Sequence, residues 1–234
     1  MNLSLEEKIM FDVMNAIYKS GIPISFKGSM VLKACLFEAG YLEDVRHTVD
    51  IDGNWYSNSI PSNEQIIDSL NRVLEMNNIN LNVNLYRMYG EGRSAGFEFR
   101  NKKSNELLFT MDIDVNKPSS ATKIYEIEDI RFCGSSPIQM MADKISVISS
   151  DIVFRRIKDL VDMYYFSKTF IFDKNAVIQA LYSSDRKLGD FNGFLNDRNN
   201  LKHSYDKFRF QGEVEKPSFD EVYQSVKEYI KDIL

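Results

Sequence analysis

The sequence predicts an α+β protein: a mixed β-sheet with flanking helices over residues 1–134, then a helical domain over residues 135–234. Two changes of texture predict it. Before Gly134, helix-period stretches are interleaved with stretches that alternate apolar and polar side chains, as in Leu81-Asn82-Val83-Asn84-Leu85. From Pro137 onward apolar residues recur at helical spacing alone. The boundary is placed near Cys133-Gly134-Ser135-Ser136.

The elements follow in order. Ser4 with Glu7 three residues later makes a capping box, and Ile9, Met10, Val13, Met14 and Ile17 continue a helix that stops at Gly21. Residues 24–26 are a short extended piece. Met30, Val31, Ala34, Cys35 and Leu36 mark a buried helix ending at Gly40. Residues 48–52 read as a strand that runs on through Trp55 and Tyr56. Ser62 caps a helix whose inner face is Ile66, Ile67, Leu70, Val73 and Leu74. Three alternating strands come next, at 81–85, 95–99 and 107–115, with a turn at Gly90-Glu91-Gly92-Arg93 and a break at Lys117-Pro118-Ser119-Ser120. A short strand falls near 123–126. Met140, Met141, Ile145 and Ile148 mark one helix, and Val153, Ile157, Leu160, Val161 and Tyr164 the next. Helical stretches near 174–182 and 218–233 flank a polar, poorly periodic segment of loops and short helices.

Composition excludes several classes. A hydrophobic share of 44% with 27% charged residues describes a soluble globular chain with a sizeable core. A net charge of −5 argues against a bulk nucleic-acid coat, though not against a local basic site. His47 and His203 are the only histidines, and Cys35 and Cys133 the only cysteines, without a CxxC, so a zinc site is not expected. Charges at Glu6, Glu7, Lys8 and Asp12 rule out a signal peptide, and no stretch has the length of a membrane span. A cytoplasmic protein with reduced thiols is the expectation.

Chemistry concentrates in residues 26–52. Lys27-Gly28-Ser29 is a small basic turn opening a helix, which offers backbone N–H groups to phosphates. Along the strand Thr48-Val49-Asp50-Ile51-Asp52, alternation points both carboxylates to one side with the Thr48 hydroxyl beside them, a seat suited to Mg²⁺ carrying substrate phosphates. Each half also has an ordinary reading, as a common turn and as two solvated residues at a strand end. A second Asp-x-Asp, Asp112 and Asp114, lies on a later strand. On the helix after Lys144, the 3.6-residue turn puts Arg155, Asp159 and Asp162 on one face, which could equally be a solvated face with ion pairs. Lys27 and Lys33 divide between phosphate contact and solubility.

Taken in order, KGS with a helix, TVDID on a strand, DKIS on a helix and RRIKDLVDMYYF on the next resemble the AbiEii/AbiGii-type toxin family of the DNA-polymerase-β-like nucleotidyltransferases. Arg46, Thr48, Asp50 and Asp52 match the family's second motif. Lys144 matches the third, and Arg156, Lys158, Asp159 and Asp162 the fourth. The match runs from Phe26 to about Phe166, with Gly28-Ser29 where many relatives have Gly-Gly-Thr. The resemblance implies a nucleotidyltransferase-like sheet domain and Mg²⁺-dependent transfer from an NTP. Asp50, Asp52 and a third carboxylate, Asp114 in preference to Asp112, would hold the metal. Lys27, Gly28, Ser29, Thr48, Arg156 and Lys158 would bind the nucleotide. Lys144 would neutralise the triphosphate, and Asp159 and Asp162 would position nucleotide or acceptor.

The resemblance further implies a toxin of a toxin–antitoxin or phage-defence (abortive infection) system, with a cognate antitoxin and an RNA (tRNA) or protein acceptor. Two other functions compete: a small-molecule, antibiotic-type nucleotidyltransferase, and a non-catalytic nucleotide-binding module.

Overall fold

A computed structural model describes residues 2–90, 94–115, 121–212 and 214–233. It divides into two compact units, one of Asn2–Ala34 and Thr48–Ser135, the other of Cys35–His47 and Ser136–Leu234. The division falls inside the helix Gly28–Glu38, α2. The turns expected at residues 91–93 and 117–120 lie outside the described residues.

The first unit is built on one mixed sheet. Its strands are β1 (Ile24–Lys27), β2 (Asp50–Trp55), β3 (Leu81–Tyr89), β4 (Ser94–Asn101), β5 (Leu107–Asp114), β6 (Thr122–Ile127) and β7 (Ile130–Ser135), ordered β3-β4-β5-β2-β1-β7-β6. β1 with β7 and β2 with β5 pair in parallel, and the other neighbours are antiparallel. Helix α1 (Leu5–Lys19) starts at the Ser4–Glu7 capping box, and α3 (Asn63–Met76) at the equivalent Ser62–Gln65 box. Helix α2 (Gly28–Glu38) follows β1 with no intervening loop.

Strand alternation does two jobs here. Ile51, Met111, Ile113, Phe97 and Phe99 are fully or almost fully buried, and burying each such side chain is worth about 1.5–3 kcal/mol. Their neighbours Asp50, Asp52, Asp112, Asp114 and Gly96 therefore take the other face. The core is closed by Phe11, Phe26, Tyr125 and Phe132, with Tyr125 stacked on Phe132 at 5.2 Å.

β7 is an element the sequence reading did not contain. Its residues, Ile130-Arg131-Phe132-Cys133-Gly134-Ser135, overlap the stretch read as a domain boundary, yet it lies inside the sheet between β1 and β6. Its lone large inward side chain, Phe132, is too little for an alternation signal. Glu128, at φ 54, supplies the tight turn from β6. Cys35 is buried, Cys133 is half-buried, and neither forms a disulfide.

The second unit is helical: α4 (Pro137–Ile148), α5 (Ile157–Thr169), α6 (Lys174–Ser183), α7 (Asn192–Leu195), α8 (Arg198–Lys207) and α9 (Phe219–Tyr229). α4 opens on a Ser136 cap with Pro137 in the first turn. The sequence suggested one helix from Val153 to Tyr164. Instead, residues Val153–Arg155 form a single 3₁₀ turn, and Arg156, at φ −125 and ψ 39, interrupts the ladder before α5. Arg155 is left exposed on that turn and does not share a helix face with Asp159 and Asp162. Nor is that face solvated. Residues of α5 are buried on all sides, Asp159 and Asp162 included, so α5 is a central helix. No helix among the described residues is long and apolar enough to cross a membrane.

Candidate active site

In the sheet unit the predicted residues form rows across the strands. Register places Lys27 opposite Asp52, Asp52 beside Asp112, and Asp112 opposite Gly96. The next row is Asn54, Asp114 and Ser94. Lys27, Asp52, Gly53, Arg87, Tyr89, Asp112 and Asp114 line an open cavity of about 320 Å³. Asp112 is therefore the carboxylate in register with Asp52, and Asp114 sits one row further, accepting a 3.0 Å bond from the Ser94 hydroxyl.

The turn below these rows depends on glycine. Gly28 has φ +75, and a Cβ there would collide with the Asp52 carboxylate. The short step from strand to helix and the close seating of Asp52 both require that missing side chain. Ser29, the next residue, is buried. Lys27 donates to Asn54 Oδ1 at 2.6 Å, across the β1–β2 pair from the acids.

Asp50 is held from behind. The Thr48 hydroxyl donates to Asp50 Oδ1 at 2.5 Å, and the Thr48 backbone N–H donates to Glu7 Oε1 at 3.0 Å. Glu7 is fully buried, and Lys33 Nζ pairs with the same oxygen at 3.1 Å. Lys33 is itself buried, so it is the internal counter-ion of Glu7 and contributes neither to solubility nor to the surface. Sequence reasoning saw Glu7 only as a cap. An acidic residue in the first turn of a helix has that sufficient local explanation, and nothing local signals the second role.

Among the described residues no three His, Cys, Asp or Glu side chains are gathered closely enough to cage a metal ion. Mg²⁺ does not need such a cage, because one or two carboxylates plus substrate phosphates and water are its usual ligands. Asp112 Oδ1 is buried with no hydrogen-bond partner, an oxygen suited to a hard cation beside Asp52.

In the helical unit Arg46, Lys144, Arg156, Asp159 and Asp162 form one ion network. Lys144 Nζ lies 2.7 Å from Asp162 Oδ2 and 3.3 Å from Asp159 Oδ1. Arg46 reaches Asp162 Oδ1 at 2.9 Å, and Arg156 reaches Asp159 Oδ2 at 2.8 Å. Arg46, Lys144, Asp159 and Asp162 are all buried, whereas Arg156 is about half exposed and Lys158 half-buried. Burial alone would raise the Asp162 carboxyl, but the charges of Arg46 and Lys144 outweigh it and hold the group down at about 2. Burial likewise pushes the Lys144 ammonium down, and Asp162 and Asp159 reverse this, leaving it raised and charged.

No family model matches the chain, and no curated protein does. Among solved structures it is similar to MenT4, a nucleotidyltransferase toxin of Mycobacterium tuberculosis. The TM-score is 0.57 at 11% identity, over 96% of this chain and 81% of that one. The two share a fold. At that identity the likeness lies in the backbone alone.

Proposed function

We propose that this protein is a nucleotidyltransferase toxin of the AbiEii/AbiGii type, transferring a nucleotide from an NTP to an RNA, tRNA foremost, or to a protein. The observation that carries the reading is the row Lys27, Asp52 and Asp112 over the Gly28 turn, on a fold like that of MenT4. A cognate antitoxin and a phage-defence setting belong to the same reading.

In this reading Asp50, Asp52 and the β5 acids would hold Mg²⁺, and register favours Asp112 over Asp114 as the third ligand. Mg²⁺ would supply neutralisation of the triphosphate as charge moves onto the leaving group. The acceptor hydroxyl oxygen bonds to the α-phosphorus, the α–β phosphoanhydride bond breaks, and pyrophosphate departs. A carboxylate of the β5 pair takes the hydroxyl proton. Gly28 and Ser29 border the phosphates, with Lys27 beside them, and Thr48 keeps Asp50 oriented. Lys144, fixed by Asp159 and Asp162, is assigned as the triphosphate's counter-charge, and Arg156 and Lys158 as groups that set the helix for the nucleotide.

The test is incubation with each labelled NTP, Mg²⁺ and a whole-cell extract that supplies total RNA, protein and small molecules. Label on RNA, or on a protein of the extract, is the expected result. Label on a small molecule alone would favour the antibiotic-type reading, and label nowhere the nucleotide-binding module.

A further inference from the structure

Arg87 had no place in the sequence reading, yet it pairs with Asp112, one of the two β5 acids. It stands on the edge strand β3, two strands from Asp112. Its guanidinium crosses β4 to reach Asp112 Oδ2 at 2.5 Å. The crossing is possible because residue 96 is glycine. A Cβ there would come within 2.6 Å of Asp112 Oδ1, 3.0 Å of Arg87 Cγ and 3.1 Å of Arg87 Nε. The two carboxylate oxygens are thus unlike: Oδ2 is taken by arginine, and Oδ1 is buried without a hydrogen-bond partner.

We propose that Arg87 is a resident counter-ion that a divalent cation must displace from Asp112, so that it sets the metal affinity of the site. This rests on the reading of Asp52 and Asp112 as metal ligands. Three physical points support it. First, charge: the groups lining the cavity are Lys27 and Arg87 against Asp52, Asp112 and Asp114, so the acids are largely neutralised before any metal arrives. A metal binding here competes with a charge already in place. Second, strength: the Arg87 side chain is 53% exposed and that of Asp112 26%, and ion pairs so open to water are weak enough to exchange. Third, a place to go: the guanidinium carbon lies 5.6 Å from the Tyr86 ring centre and 5.4 Å from that of Tyr89. Those rings retain a released cation at the mouth of the cavity, where it can meet an incoming phosphate.

The experiment titrates the full-length protein with Mn²⁺ alone, no nucleotide present, and follows the loss of free-ion signal by electron paramagnetic resonance. Wild type, Arg87→Ala, Arg87→Lys and Asp112→Asn are compared, each first checked for a cooperative thermal melt. Arg87→Ala should bind Mn²⁺ about three- to fivefold more tightly than wild type, the upper range for one half-exposed ion pair. Arg87→Lys, which keeps the charge but loses the planar fork, should fall between the two, and Asp112→Asn should bind more weakly than all. Equal affinity in wild type and Arg87→Ala, with Asp112→Asn still weakened, would overturn the role of Arg87 and leave the metal site standing. Equal affinity in all four, or no binding in any, would overturn this inference, and the transfer assay would then decide whether the acids hold a metal that arrives with the nucleotide. Should Arg87→Ala fail to melt cooperatively, the Arg87→Lys comparison carries the same decision.

Discussion

The Glu7 carboxyl joins the first helix of the chain to Thr48, accepting the Thr48 backbone N–H at 3.0 Å two residues before Asp50. The same side chain caps α1 through Ser4 and neutralises Lys33. One buried group thus ties a helix start, a helix interior and the entry to β2. Replacing it with alanine strands Lys33 as a buried charge and leaves the Thr48 N–H unpaired. Glu7→Ala should lower unfolding free energy by about 3–5 kcal/mol, the cost of breaking a buried ion pair. Urea denaturation followed by circular dichroism measures it, and a loss no larger than that of an exposed helix-cap substitution would contradict the network.

Asp50→Ala and Asp52→Ala should each abolish nucleotide transfer, and any growth toxicity, with the fold retained. Both carboxylates are half-buried on the face of the sheet away from the core. Removing either opens no apolar cavity, so stability should move by no more than about 1 kcal/mol. Transfer of label from NTP, measured beside a thermal melt, separates lost chemistry from lost fold. Full activity of the Asp50 variant with Mg²⁺ present would sink the assignment of the acids.

Much of this was readable in the chain, and the parts that were not share a cause. Asp50, Asp52, Asp112 and Asp114 could be put on one face because strand alternation is a local rule and Ile51, Met111 and Ile113 leave no other side for them. Which β5 acid stands beside Asp52 depends on register between strands some sixty residues apart, and no local pattern encodes that. Asp159 and Asp162 kept a wet helix face as their ordinary alternative because periodicity reports polarity and not burial. Their burial is tolerated only because Arg46, more than a hundred residues away in sequence, and Lys144 come to meet them. Arg87 escaped notice for a related reason: its reach across Gly96 exists only once β3, β4 and β5 are paired.

Lys144→Ala should fail in two ways at once. Nucleotide transfer should be lost, as the family resemblance implies for this position. Stability should fall as well, by about 3–5 kcal/mol, because Asp159 and Asp162 would stay buried with one fewer cation between them. Chemical denaturation reads the second effect directly. A variant as stable as wild type would mean that the ammonium is not the internal counter-ion that its 2.7 Å contact with Asp162 indicates.

Asp162 should write itself into the acid limb of the stability curve. Its folded carboxyl is held at about 2 against an ordinary value of 3.8, with Arg46 and Lys144 overcoming the cost of burial. A depressed folded value means that the unfolded chain takes up the proton first. The contribution is therefore fully present above the unfolded value and is lost as pH falls through it toward the folded one. A fully buried group with a shift of this size is worth roughly 2 kcal/mol, lost between about pH 5 and about pH 2. The raised Lys144 value acts at the other end, its share being lost only as pH rises beyond the usual lysine range, so the network is flat across neutral pH. Asp162→Asn lowers stability everywhere, since Arg46 and Lys144 lose their shared partner. The test therefore lies in the slope: from about pH 5 downward, urea denaturation should show wild type losing stability faster than Asp162→Asn, by that same margin of roughly 2 kcal/mol. Parallel acid limbs would show that Asp162 is not held ionised by its neighbours. The buried network would then have to be protonated at its centre, with Lys144 answered by Asp159 alone.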